Sequence, residues 1–282
     1  MSNEPELISS LKAGNTQIMG VVNVTPDSFS DGGDFYDPEV AIAHGLKLIR
    51  DGANVLDIGG ESSRPGARVV DVEEEISRVV PVIEGLKKEG AKWISIDTRN
   101  AKTMEAALKA GVDIINDISA LTYDSQSVAV AAEANVPVIL MHMLGNPQTM
   151  QKNPIYNNVV GDIVEYFKER ISYCETHRLE VQKLIFDPGV GFGKTVQDNL
   201  LILRNIKEFL TLEPPILLGT SRKSFIAKLS REEGADQRLG GSLSSVLWGL
   251  SQGVKFFRVH DVAETVQAIK IYEAILDANP ES

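Results

Sequence analysis

The sequence predicts a single-domain (β/α)8 TIM barrel, and three observations lead there. Eight short apolar runs of strand character alternate with eight segments of helical spacing. Several helical segments close on glycine immediately before the next apolar run, a rhythm that is the only internal repeat. No linker, low-complexity stretch or shift in composition divides the 282 residues, a length ordinary for one such barrel. A doubly wound open sheet shares the same alternation and stays open on pattern alone.

The apolar runs are Gln17–Val22, Asn54–Ile58, Trp93–Ile96, Asp113–Ile115, Pro137–Met141, Lys183–Phe186, Pro215–Leu218 and Lys255–Val259. Their length and branched content suit strands buried on both faces. The helical segments are Pro38–Arg50, Val72–Lys88, Ala101–Lys109, Ser125–Ala134, Asn158–Arg178, Thr195–Leu210, Gly240–Ser251 and Val262–Leu276. Asp37-Pro38 and Asp261 read as helix starts, a capping carboxylate followed by proline in the first case. Gly52, Gly111 and Gly253 read as helix stops, where the chain turns with positive φ. The stretch Met19–Asp34 leaves the first strand into Pro, Asp, Ser and paired Gly, with Phe29 standing alone among them. It reads either as a lid for a flat ligand or as a surface loop whose Phe29 folds back on the core.

Composition narrows the classes of function. Hydrophobic residues make up 43% and charged residues 24%, enough for a large core. A net charge of −11 argues against nucleic acid or an anionic membrane as main partner. One cysteine, Cys174, leaves no internal disulfide and no cysteine-based zinc site. No run approaches the ~18 apolar residues of a membrane span. The acidic start of the chain lacks signal-peptide character, so a cytoplasmic, reducing compartment is expected.

Chemistry in a barrel of this kind gathers at the C-terminal ends of its strands. The residues there are Asn23; Asp57 with Glu61, Ser62, Ser63 and Arg64; Asp97 and Arg99; Asn116 and Asp117; His142; Asp187; Ser221, Arg222 and Lys223; and Arg258 with His260. Any one carboxylate could be only a helix cap, but polar groups follow all eight strands, and Arg and Lys do not cap. Asp97, Asn116 and Asp187 suit a neutral heterocycle presenting an amino group and a ring N–H, with Lys223 answering its far edge. Arg64, Arg258 and His260 read as a cationic group beside Asn23, fitted to phosphate or pyrophosphate. The run Asp187–Thr195 imitates a P-loop but has Pro188 where that pattern needs glycine, so its glycines read as close backbone approach to a ligand. His142 reads as a strand-end histidine held by neighbours, and His44 and His177 as solvated surface residues. Cys174 reads as inert.

Taken together, NVTPDSFSDGG, LDIGGESSRPGA, SIDT, INDI, LMHMLGNPQTMQ, FDPGVGFGKT, GTSRKSFI and RVHDV resemble the dihydropteroate synthases of folate biosynthesis, from Ile18 to about Tyr272. The resemblance implies a pterin-binding TIM barrel over residues 17–282 behind an N-terminal extension, residues 1–16. It implies the joining of 6-hydroxymethyl-7,8-dihydropterin pyrophosphate to p-aminobenzoate with release of pyrophosphate. Asp97, Asn116, Asp187 and Lys223 would hold the pterin, with Met141 and Arg258 on its faces. Asn23, Arg64, Arg258 and His260 would surround the pyrophosphate, and Asn23 its Mg²⁺. Phe29, Ser63, Pro65 and Ser224 would meet p-aminobenzoate and its sulfonamide mimics. Arg64, Lys223, Asp97 and Arg258 would carry the catalysis, and a homodimer is implied. The family commonly has threonine where this chain has Ser63, a loss of one methyl, worth at most ~0.8 kcal/mol. Loss of pyrophosphate from a CH₂ on a π-rich ring makes a dissociative path plausible. Two alternatives are a non-catalytic pterin-binding paralogue and a barrel transferring methyl from methyltetrahydrofolate to a corrinoid.

Overall fold

The computed structural model describes residues 4–25, 37–62, 68–147, 149–151 and 153–278. Its strands are β1 (Gln17–Asn23), β2 (Val55–Gly59), β3 (Trp93–Asp97), β4 (Ile114–Asp117), β5 (Val138–Met141), β6 (Leu184–Asp187), β7 (Leu217–Leu218) and β8 (Phe256–Val259). All pair in parallel in the order β6-β5-β4-β3-β2-β1-β8-β7. A parallel bridge from Phe186 to Ile216 joins the two ends of that order. The sheet therefore closes into the barrel, and the open doubly wound alternative is excluded.

The helices are α1 (Glu6–Lys12), α2 (Pro38–Arg50), α3 (Val72–Lys88), α4 (Ala101–Lys109), α5 (Ser127–Ala134), α6 (Val159–Thr176), α7 (Val196–Arg204), α8 (Ile206–Phe209), α9 (Ser224–Leu229), α10 (Leu239–Ser251) and α11 (Val262–Asp277). Asp37 caps α2 by accepting from the Glu39 N–H at 2.9 Å. Gly52, Gly111 and Gly253 turn into the next strand at φ 108°, 106° and 106°, a region that excludes most side chains. Three expectations are corrected. The segment Thr195–Leu210 breaks at Asn205, whose side-chain amide donates to the Leu201 carbonyl at 2.8 Å and competes with the helical ladder. Asp261 makes no capping bond, because Arg222 Nε engages its carboxylate at 3.0 Å. His44 is half-buried rather than solvated, and burial lowers its pKa.

Strand side chains alternate with period two, so each strand serves two cores. Outward positions such as Ile18, Leu56, Ile94, Ile115, Leu140, Phe186, Leu218 and Phe257 pack under the helices. Inward positions Met19, Val55, Ile114, Ile139, Ile185, Leu217 and Phe256 fill the barrel toward its N-terminal end. Helix α1 presses Leu7, Ile8 and Leu11 into that same cluster and closes the barrel from below. Among the described residues no helix is long and apolar enough to cross a membrane.

Candidate active site

Two residues further along most strands the inward positions change character, while on β1 the aliphatic Val21 continues the layer. Asp57, Asp97, Asn116, Met141, Asp187, Gly219 and Arg258 replace the aliphatic layer. Gly59 and Gly219 add no side chains there: a Cβ at Gly219 would stand 3.6 Å from Asp187 Oδ2, and one at Gly59 would stand 3.5 Å from Asp97 Cβ. The two glycines keep side chains out of the lumen at the level where it becomes polar.

Arg258 lies among the carboxylates of this layer. Its Nε donates to Asp57 Oδ2 at 2.6 Å and its Nη2 to Asp97 Oδ2 at 2.8 Å. Asn116 Nδ2 donates to the same Asp57 oxygen at 3.2 Å. Asp57 is 0% exposed, and its Oδ1 has no partner among the described residues. Burial, and then the charge of Asp57, push Asp97 up to about 7 against the pull of Arg258. Burial opposes the charge on Arg258, but Asp57 and Asp97 outweigh it and its pKa is raised.

Across the lumen Asp187 pairs in register with Met141. Burial raises the Asp187 pKa, while the Gly189 N–H, 2.7 Å from Oδ1, and the cations Lys223, Arg258 and Lys194 lower it. Burial brings Lys223 down to about 8 despite the attraction of Asp187. The Lys223 ammonium lies 3.9 Å from the centroid of the Phe192 ring, a cation–π contact. Phe192 joins Ile118, Met141 and Met150 in an apolar patch with Met143 beside it. The layer thus offers carboxylate and amide acceptors, one facing ammonium and an apolar wall.

His260 sits among cations, and its pKa is lowered. Burial, then Arg258, Arg222 and Lys223, bring its pKa down to about 3. Ser221 Oγ accepts the His260 backbone N–H at 3.1 Å and lies 3.0 Å from Nδ1. With the hydroxyl donating to Nδ1, the neutral ring keeps Nε2–H as a donor. Asp117 points outward and anchors its own loop, accepting from Ser119 N at 2.7 Å and Leu121 N at 2.9 Å. Ser224 is exposed at the start of α9. Phe29, Ser63, Arg64 and Pro65 lie outside the described residues. Beside Asp97 a cavity of about 190 Å³ opens between Glu61, Arg99, Tyr123 and Pro147.

Two glycine N–H groups of the P-loop imitation are already engaged. The Gly189 N–H is taken by Asp187 and the Gly191 N–H by Asn199 Oδ1 at 2.7 Å. Lys194 turns inward to His142. His142 is buried, as expected of a strand-end histidine held by neighbours. Burial pushes the Cys174 thiol up to about 11, consistent with an inert residue. Asp57 was visible on the rim, but its role emerges only with Arg258; the inward alternation Val55, Asp57, Gly59 was the signal available. Phe192 and Lys194 had no such signal beyond their place in the glycine loop.

Asn23 is half-buried at the end of β1 and carries a carboxamide oxygen. Among the described residues no three His, Cys, Asp or Glu side chains converge to hold a metal by themselves. Mg²⁺ characteristically takes one or two protein oxygens and completes its shell with water and substrate phosphate, so a lone carboxamide oxygen is compatible with it.

The sequence profile of the family described as "Pterin binding enzyme" matches residues 19–260. Dihydropteroate synthase of Escherichia coli strain K12 is 44% identical over 270 residues, which span 96% of this chain and 95% of that one. The chain belongs to the dihydropteroate synthases. Solved structures of that family superpose closely. Xanthomonas albilineans dihydropteroate synthase with 4-aminobenzoic acid matches at a TM-score of 0.88 and 43% identity, covering 94% of each chain. The same organism's dihydropteroate synthase in complex with 7,8-dihydropteroate matches at 0.85 and 41%, covering 94% of this chain and 95% of that one. The (β/α)8 barrel, read from the alternation of strand-like and helical segments, and the enzyme class of a dihydropteroate synthase, implied by the motifs, both hold.

Proposed function

We propose that the upper layer of the barrel binds 6-hydroxymethyl-7,8-dihydropterin pyrophosphate and joins it to p-aminobenzoate, giving 7,8-dihydropteroate and pyrophosphate. The observation that carries this reading is the convergence of Asp97, Asn116, Asp187, Lys223 and Arg258 around one buried level beside Met141. A pterin edge donates through its amino group and ring nitrogens, and Asp187, Asp97 and Asn116 accept. The ammonium of Lys223 donates to the ring carbonyl or a ring nitrogen. Met141 and the planar guanidinium of Arg258 pack on the two faces.

This arrangement suits a dissociative substitution. The bond from the exocyclic CH₂ to the pyrophosphate oxygen breaks, and its electron pair leaves with pyrophosphate. The resulting cation is delocalised into the ring, and the buried carboxylates Asp57, Asp97 and Asp187 favour that developing charge. The lone pair of the p-aminobenzoate nitrogen then forms the new C–N bond, and the nitrogen releases its proton to solvent. An arylamine is nucleophilic enough that no strong base is needed. Arg64, the Nε2–H of His260 and the guanidinium of Arg258 stabilise the departing pyrophosphate, and Asn23 would hold the Mg²⁺. When bound, that ion supplies charge neutralisation at the leaving group. Phe29, Ser63, Pro65 and Ser224 contact p-aminobenzoate, and the same contacts admit sulfonamides. The working unit is a homodimer in the cytoplasm.

The test is to incubate the purified chain with dihydropterin pyrophosphate, p-aminobenzoate and Mg²⁺, measuring dihydropteroate by mass and pyrophosphate by release. Equal amounts of both products support the proposal. Pyrophosphate release without dihydropteroate, or neither product, opposes it. A bridging ¹⁸O label that scrambles into non-bridging positions without p-aminobenzoate supports the dissociative path, and retention of the label opposes it.

A further inference from the structure

Lys194 occupies the lysine position of the sequence that imitates a P-loop, yet it is 3% exposed and turned away from the lumen mouth. Its Nζ lies 3.0 Å from His142 Nδ1, 3.3 Å from the His142 carbonyl and 2.9 Å from the Phe192 carbonyl. These acceptors come from the loops after β5 and β6. We propose that Lys194 is a positioning residue that clasps those two loops together and so holds the Phe192 ring and the Gly189 turn over the Met141–Asp187 pair, whose own spacing the β5–β6 ladder sets. This extends the pterin reading of the site and rests on it.

The two backbones approach closely where the clasp operates. A Cβ on Gly189 would lie 2.0 Å from the His142 carbonyl oxygen, and one on Gly193 would lie 2.6 Å from that of Leu144. Nothing but glycine fits, and the fit leaves no slack for the loops to slide. Two further bonds brace it: Tyr156 Oη donates to the Gly193 carbonyl at 2.8 Å, and Gln151 Nε2 to that of Gly191 at 2.9 Å. The His142 ring stands edge-on to Tyr166 at 4.9 Å, so it is fixed before the lysine meets it. Burial first, then Lys194, brings His142 down to about 2, leaving Nδ1 to accept and Nε2 to carry the proton.

All three acceptors of Lys194 are neutral, which makes the charge costly unless a carboxylate offsets it. Burial brings its pKa down to about 7, and Asp187 is the first group working in the opposite direction. An apolar chain of the same length would fill the space without desolvating an ammonium. The ammonium does two things such a chain would not: it bonds both loops and adds positive charge near Asp187. It also fixes the carbonyl of Phe192, whose ring carries the Lys223 ammonium.

The test uses full-length Lys194→Met and Lys194→Gln, with 6-hydroxymethylpterin binding by calorimetry, steady-state kinetics and thermal melting. For Lys194→Met, pterin affinity should weaken about tenfold or more, as expected when a positioning contact is lost. KM for dihydropterin pyrophosphate should rise in step, with KM for p-aminobenzoate within about twofold of the unsubstituted chain. Lys194→Gln keeps a neutral donor and should fall between, and it carries the same test if the Met variant does not fold. Unchanged pterin affinity, or equal losses for both substrates together with a lowered Tm, would overturn the clasp. An unsubstituted chain that fails to bind the pterin would instead overturn the reading of the site beneath it.

Discussion

Arg258 holds the polar layer together, because its two guanidinium nitrogens separate two buried carboxylates that would otherwise repel. Replacing it with methionine leaves Asp57 and Asp97 buried and uncompensated, which should cost about 3–5 kcal/mol in chemical denaturation. Asp97 supplies a second prediction at this scale. Its folded pKa, about 7, lies above the ordinary carboxylate value of 3.8. Between those values the folded state holds a proton that the unfolded chain has released. The contribution of Asp97 to stability is therefore full below pH ~4 and is lost as pH rises through about 7, with a slope of at most ~1.4 kcal/mol per pH unit. Asp97→Asn should flatten that slope in urea titrations at pH 5, 6 and 7; an unchanged slope would remove Asp97 as its source. The residue types of this layer were legible as rim chemistry. Their pairing was not, because Arg258 and Asp97 are 161 positions apart in the chain.

At the scale of elements, the alternation of helix, glycine and strand was readable because several helix stops need positive φ and each buried strand needs a short apolar run. Helices α1 and α9, of 7 and 6 residues, are too short to show a periodicity, and α1 proves to be part of the core. Ile8→Ala removes a fully buried side chain from the floor of the barrel, and cavity formation there should cost about 2–5 kcal/mol. Catalytic turnover of the folded fraction should stay unchanged, since the floor lies beneath the polar layer. The loop after β6 responds differently. Gly189→Ala would both strain a φ of 66° and drive Cβ into the His142 carbonyl. It should raise KM for dihydropterin pyrophosphate more than that for p-aminobenzoate in steady-state kinetics.

In the whole molecule, closing the sheet through the Phe186–Ile216 bridge brings eight distant strand ends to one rim. Closure explains why an acidic chain can present cations and carboxylates together in one small volume: period-two alternation points them inward, and the aliphatic layer below holds them up. The site assignment depends on that convergence, and its central claim is that Asp187 reads the donor edge of a pterin. The most direct measurement is calorimetric binding of 6-hydroxymethylpterin to the unsubstituted chain and to Asp187→Asn. An asparagine offers one acceptor where the carboxylate offers two and removes the charge, a loss of roughly 1.5–3 kcal/mol for hydrogen bonds to a charged group. The expected result is one-to-one binding that weakens by about 10- to 150-fold in the variant. Equal affinities in the two proteins would contradict the pterin site as it is placed here.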